Sequence, residues 1–337
     1  MKFGLATDCS RRIQRTVELA KEAEDLGYDC LWIADQNLYR DVHVTTALCA
    51  LETTRIRLGI GVTNPLTRHP AIMTAALATS DELSGSRMIM GLGIGSSLNL
   101  LHPLGIKRQR TGPCLRESFQ VMKMFLSGDP VHFKGEFFDI NHKGLGFPTR
   151  DIPILIASRS PRTLALAGEI ADGVIVSSFA SPKAMEYAMS EVKRGFRKRK
   201  EKTEFQIVLW TRLSMNDDQK SAIEALRPHL PYRIWDDNPT TLEGLGYDPR
   251  VTQQIKDLYS KGETRLAEKL VTKEMLDDFG IAGPLKVCRD KIKSLRSMGV
   301  THIAVSPVGK SEKDRARLRR EFAAHIAPDF QHQRATS

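Results

Sequence analysis

Eight short apolar strands alternate with amphipathic helices along 337 residues. That order predicts an α/β chain folded as a (β/α)8 TIM barrel with insertions. Two further observations favour a closed barrel over an open doubly wound sheet. Neighbouring strands end in alternating glycines, and the length exceeds that of a usual barrel by enough to hold insertions.

The first strand is read at Lys2–Thr7. A helix follows from Arg11 to Leu26, with Ile13, Val17, Ala20 and Ala23 on one stripe and Gly27 as its C-terminal capping glycine. The second strand, Asp29–Ala34, runs into Asp35 and Gln36. The third, Ile56–Ile60, leads into a polar loop that ends where Pro70 opens a helix, a position at which its missing N–H costs nothing. Gly59 and Gly61 alternate with Leu58 and Ile60. Such spacing marks a bulge or the close approach of a flat ligand, or else an ordinary loop with turning glycines. Asp81-Glu-Leu-Ser-Gly85 closes the third helix, and the fourth strand is Arg87–Leu92. Gly91, Gly93 and Gly95 lack the spacing and acidic partner of a dinucleotide fingerprint.

Residues 128–150 read as a hairpin insertion, with apolar and polar residues alternating from His132 to Ile140 around Gly135. Further strands are read at Ile152–Ala157, Gly173–Ser177, Phe205–Leu213 and Thr301–Val305. Residues 214–282 form a helical insertion, and excursions of that length cover a site or build an interface. No internal repeat is present, so residues 1–330 are read as one domain and 331–337 as a frayed tail.

Composition narrows the function. Apolar residues make up 41% of the chain, enough for a packed interior. No apolar run approaches a membrane span, and the start of the chain reads as a strand without a signal-peptide core. Cys9, Cys30, Cys49, Cys114 and Cys288 are scattered and contain no Cys-x-x-Cys pair, which fits reduced cytoplasmic thiols and no metal site. The net charge of +10 is concentrated in Lys193–Lys202 and Lys313–Arg320. These runs lie at the ends of amphipathic helices, carry no aromatic platform and are read as solvated surface, not a nucleic-acid site.

Barrel enzymes act at the C-terminal ends of their strands. Asp35 sits there, either as an active residue or as the cap of the next short helix. Ala157, Ser158, Arg159 and Ser160 precede Pro161, the first residue of a helix whose N–H groups suit a phosphate. Ser177 and Ser178 complete that cradle, and the alternative for Ser160 is ordinary capping.

Four segments carry a resemblance. They are Arg57–Pro70; Asp81–Ser97; Pro153–Pro161 continuing through Leu166–Val174; and Met298–Gly309. In this order they resemble the bacterial luciferase-like flavin and deazaflavin enzymes. They are most similar to the archaeal methylenetetrahydromethanopterin reductases, which use the 8-hydroxy-5-deazaflavin coenzyme F420. The resemblance implies a luciferase-like barrel holding F420, with FMN as the alternative. It implies an acidic cofactor contact at Asp35, followed in the family by a histidine where this chain has Gln36. Glutamine cannot relay a proton near neutral pH. It also implies a cis peptide at Gly61-Val62 behind the central ring, with Thr63 and Asn64 at the ring edge. Gly93, Ile94, Gly95, Ser96 and Asn99 resemble the loop beside the ring and its side chain.

Two departures concern the substrate. The reductases carry an acidic residue at Ala6 and glutamine at Arg159. Thr7 is the nearby polar candidate for the substrate, and pleating argues against Asp8 as an automatic substitute for the lost carboxylate. Arg159 adds fork geometry suited to a carboxylate on substrate or cofactor, or else points to solvent.

The leading expectation is hydride transfer between F420 and a pterin-like C1 carrier or another carbonyl or imine, a small-molecule substrate. The alternatives are an FMN-dependent monooxygenase fed by a flavin reductase partner, and a non-catalytic barrel that binds a flavin-like ligand. The enzyme is expected as a cytoplasmic homodimer or homotetramer.

Overall fold

The computed structural model describes residues 1–36, 38–96, 100–107, 110–200 and 204–331. The expected contact at Asn99 lies outside the described residues, as does the tail from 332. The first half of the chain runs β1 (Lys2–Asp8), α1 (Ile13–Asp25), β2 (Cys30–Ala34), α2 (Val42–Leu51), β3 (Arg57–Thr63), α3 (Pro70–Ser84), β4 (Met88–Leu92) and α4 (Thr111–Leu126). A hairpin of β5 (Val131–Lys134) and β6 (Asp139–His142) precedes β7 (Ile154–Ala157), α5 (Pro161–Ile170), β8 (Gly173–Ser177), α6 (Pro182–Phe196) and β9 (Gln206–Met215). Six helices follow: α7 (Gln219–Glu224), α8 (Leu230–Asp236), α9 (Pro239–Gly244), α10 (Pro249–Ser260), α11 (Thr264–Leu270) and α12 (Lys273–Phe279). The chain closes with β10 (Gly280–Gly283), α13 (Leu285–Ser297), β11 (His302–Pro307) and α14 (Glu312–His325).

Eight parallel strands form a closed ring in the order β11-β1-β2-β3-β4-β7-β8-β9, with β9 returning to β11. Helix ends follow the expected local chemistry. Gly27 and Gly85 take positive φ after α1 and α3, and Pro70 and Pro161 open α3 and α5. The hairpin is antiparallel as expected.

The helical excursion required a correction. Its last residues, read as helical, form β10, which pairs parallel with the upper half of β9 where β8 has already ended. β9 therefore reaches Met215, and its far end carries Arg212 to the barrel mouth.

Two cores result from the two-residue period of the strands. Outward residues such as Phe3, Leu5, Leu31, Ile33, Leu58 and Ile60 pack under the helices. Inward residues form a smaller plug of Ala6, Cys30, Trp32, Ile89, Leu155, Ile175, Val208 and Ala304, against which Val62, Ala157 and Trp210 pack. All five cysteines are free and buried. Three arginines of the basic run on α14 form ion pairs, Arg319 with Glu22 and Glu312, Arg315 with Glu312 and Arg317 with Glu321. Among the described residues, no helix is long and apolar enough to cross a membrane.

His302 lies at the floor of the plug, where its Nε2 accepts from Trp32 Nε1 at 3.4 Å. Burial, then the charges of Lys2 and Arg57, depress its pKa from 6.5 to about 3. The unfolded chain thus binds a proton that the folded chain refuses, and His302 erodes stability as pH falls below about 6.5. Between pH 7 and 5, urea titrations should show the native chain losing about 2 kcal/mol more stability than His302→Gln, which keeps an acceptor for Trp32. Equal losses would mean that His302 is protonated in the folded protein.

Candidate active site

The glycines at the strand ends face the protein's own side chains. A Cβ on Gly59 would strike the Trp32 indole, and one on Gly61 would strike the indoles of Trp210 and Trp32. A Cβ on Gly4 would stand 2.6 Å from His302 Nε2 and 2.9 Å from Trp32 Cδ1. The two indoles lie 6.4 Å apart and fill the barrel axis to the level of Gly61. The flat groups lying against Gly59 and Gly61 are therefore these tryptophans, which corrects the expectation that the glycines themselves admit a ligand.

The floor of the mouth is built one residue higher. Ile60 pairs with Met90 and Thr63 with Leu92, so Gly61 and Val62 together face one residue of β4, a bulge. The Gly61–Val62 peptide is cis, as the resemblance implies. The Val62 side chain turns into the mouth beneath Gly91 and Gly93, both of which would place a Cβ 2.8 Å from its methyl groups.

Asp35 borders this floor. Its side chain is only 2% exposed, accepts from Thr63 Oγ1 at 2.7 Å and lies 3.7 Å from Arg68 Nε. Burial raises its carboxyl pKa against the pull of the Thr63 hydroxyl and the Arg68 charge. Asp35 does not cap the next helix. Asp41 does, accepting from the His43 and Val44 N–H groups while its other oxygen holds Arg68 Nη2 at 2.6 Å. His43 is buried beside this pair with neither ring nitrogen hydrogen-bonded, and burial lowers its pKa to about 4.

The other expected residues meet different fates. Asn64 spends its carbonyl oxygen on the Leu66 and Thr67 N–H groups, leaving its amide nitrogen toward Gly95. The Ile94 side chain belongs to the outer core, so only its backbone serves the mouth. Gln36 is exposed at the rim. Alternation along β1 puts Ala6 inside and Leu5 outside, so Asp8 shares the Ala6 face and Thr7 points the other way. The preference for Thr7 over Asp8 is thereby reversed.

At the opposite rim, Ser158 Oγ accepts from Ser160 N at 3.0 Å, and Ser160 Oγ donates to Thr163 Oγ1 at 3.1 Å. No side-chain oxygen caps the first turn of α5, so Ser160 is not an ordinary cap. Arg159 neither faces solvent nor stands free. Its Nη2 pairs with Asp237 at 2.6 Å, both side chains being about nine-tenths buried, while Nη1 has no partner. Burial and then Arg233 lower the Arg159 pKa to about 10. Ser177 accepts from Arg233 Nη2 at 2.7 Å, and Ser178 takes a positive φ of 63°.

These bonds reveal residues missed in the sequence. Arg233, Asp236 and Asp237, on and just after α8, reach Ser177, Ser96 and Arg159 respectively. The helical excursion is thus fastened over the loops that follow β4, β7 and β8. Arg212 was also missed, although a charge at an inward position of an apolar strand was a visible signal. Among the described residues, no group of three or more His, Cys, Asp or Glu side chains could hold a metal ion.

The luciferase-like monooxygenase family model matches residues 1–302. The 5,10-methylenetetrahydromethanopterin reductase of Archaeoglobus fulgidus is 33% identical, covering 94% of this chain and 97% of its own. The F420-dependent glucose-6-phosphate dehydrogenase of Amycolatopsis mediterranei is 27% identical, covering 93% of each. The structure of the coenzyme F420-dependent tetrahydromethanopterin reductase from Methanopyrus kandleri superimposes with a TM-score of 0.87 at 28% identity, over 98% of this chain and 99% of that one.

If the indoles dictate the glycines, Gly59→Ala should cost about 1–3 kcal/mol of stability by overpacking. Combined with Trp32→Leu, the two losses should fall short of their sum in denaturant titrations. Strict additivity would show that Gly59 is not kept by Trp32.

Proposed function

The chain belongs to the luciferase-like monooxygenase family, and on that premise we propose that it is a coenzyme F420-dependent oxidoreductase. It transfers hydride between the deazaflavin and a pterin-like C1 carrier or another carbonyl or imine carbon. The observation that carries this reading is the Val62 floor above the two indoles, edged by Asp35 and Thr63. The methanopterin reductases, similar over nearly the whole chain, support F420 ahead of FMN.

The residues present fit such a cofactor. A flat ring would rest on Val62, with the Asn64 amide nitrogen and the Gly95 backbone at its edge. A phosphate would meet the uncapped first turn of α5 and the unpartnered Arg159 Nη1, with Ser158, Ser160, Ser177 and Ser178 around it. Reduced F420 bound there would supply hydride with little tendency to react with oxygen.

The chain's own groups would handle binding and the proton. Asp35, held by Thr63, fixes the third-strand loop beside the ring. Gln36 orients but does not relay a proton. The carboxylate on the Ala6 face is Asp8, whose Oδ1 accepts from Ser10 N at 2.8 Å. That bond holds it at the rim, where a proton could pass to or from substrate.

Titration should give tight binding of F420 and weaker binding of FMN, followed by anaerobic oxidation of the reduced deazaflavin in stopped flow with methylenetetrahydromethanopterin or methylenetetrahydrofolate. Ser160→Asp should weaken F420 about ten- to a hundredfold by placing like charge beside the phosphate. Preferential FMN binding with oxygen-dependent turnover would establish the monooxygenase instead.

A further inference from the structure

A cavity of about 310 Å³ opens over the ends of β1, β9 and β11, away from the α5 rim. It is within the range of small-molecule sites, at the small end. Its inner wall follows from strand register. Leu5 pairs with Val305 and Ser306 with Arg212, so Ala6, Ser306 and Arg212 stand at one level on three adjacent strands. Trp210, two residues before Arg212, adds an indole face and donates to Ser306 Oγ at 3.2 Å.

The charges here are unevenly satisfied. Arg11, Arg315 and Arg319 also line the cavity, and each pairs with Glu312 within 3.1 Å. The Arg212 guanidinium makes no hydrogen bond or ion pair to any described residue. The charges acting on it are Arg233, a like charge, and Asp8, whose carboxylate is already engaged by the Ser10 backbone and hydroxyl. His229 beside Arg212 is kept neutral by burial and by that same positive charge, its pKa lowered to about 4. It adds no further positive charge.

We propose that this cavity receives the substrate and that Arg212 binds a carboxylate carried by it. The inference rests on the oxidoreductase reading and specifies its substrate class. An unpaired guanidinium at a half-buried position is free to take an anion, and its planar fork matches a carboxylate bidentately. The Ala6 methyl leaves room for the group at the level where it would lie, and Trp210 stacks against an adjoining ring.

The test compares three probes by calorimetry on the native chain, Arg212→Met and Arg212→Lys. The probes are pterin-6-carboxylate, neutral 6-hydroxymethylpterin and 6-hydroxymethylpterin phosphate. We expect native protein to bind the carboxylate roughly tenfold or more tighter than the neutral pterin, as a charge-assisted pair allows. Arg212→Met should abolish that preference, and Arg212→Lys should keep part of it. No preference in the native chain, a preference that survives Arg212→Met, or tighter binding of the phosphate would overturn the proposal. Titrating the same samples with F420 separates the two readings. Unchanged F420 affinity in Arg212→Met assigns the loss to the carboxylate. A native chain that prefers the carboxylate yet fails to bind F420 overturns the cofactor reading and supports this one.

Discussion

Two indoles set the terms for the upper half of this barrel. Trp32 and Trp210 occupy the axis where most inward positions are small, and their bulk fits only because Gly4, Gly59 and Gly61 offer no Cβ. Close packing leaves no slack for a compromise: either the strands keep bare backbone there or the rings must leave. With the axis filled, a ligand cannot sink into the barrel and must lie on its rim. The bulge at Gly61 and Val62 forms the floor of that rim, and Gly93 leaves room for Val62, while Gly91 leaves room for the Ile60 carbonyl as well.

The rim divides into two unlike halves. Over β4, β7 and β8, the excursion between β9 and β10 is bound down by Arg233, Asp236 and Asp237. The Arg159–Asp237 pair is nearly dry, and burial raises the Asp237 carboxyl pKa against the fields of Arg159 and Arg233. A pair so placed contributes little net stability but is costly to break by removing one partner. It therefore fixes where α8 sits. Over β1, β9 and β11 lies the cavity with Arg212, to whose lining the excursion contributes His229.

Much of this was legible in the sequence, for physical reasons that differ by element. Pro70, Pro161, Gly27 and Gly85 announce helix ends because their backbone chemistry leaves few alternatives, and all four fall where expected. The eight barrel strands were readable because each is a short apolar run between turn signals. β10 was not, since Gly-Ile-Ala-Gly is too short to show a period and becomes a strand only through the free upper edge of β9. The glycine-rich strand ends were visible, but what fills the space before them depends on tryptophans one or several strands away. Arg159 shows the same limit: its charge was plain, whereas its partner Asp237 lies 78 positions along the chain. Thr7 and Asp8 were exchanged for a simpler reason, since counting the pleat from Ala6 puts the second neighbour, not the first, on its face.

The central claim is that the protein's own rings fill the barrel and leave Val62 as the platform for a planar ligand. A crystal structure of the anaerobic complex with F420 tests it directly. The expected result is a tricycle in van der Waals contact with Val62, at about 3.5–4 Å, with Trp32 and Trp210 unmoved beneath it. A ring inserted between displaced indoles, or seated away from Val62 beneath α8, would contradict it.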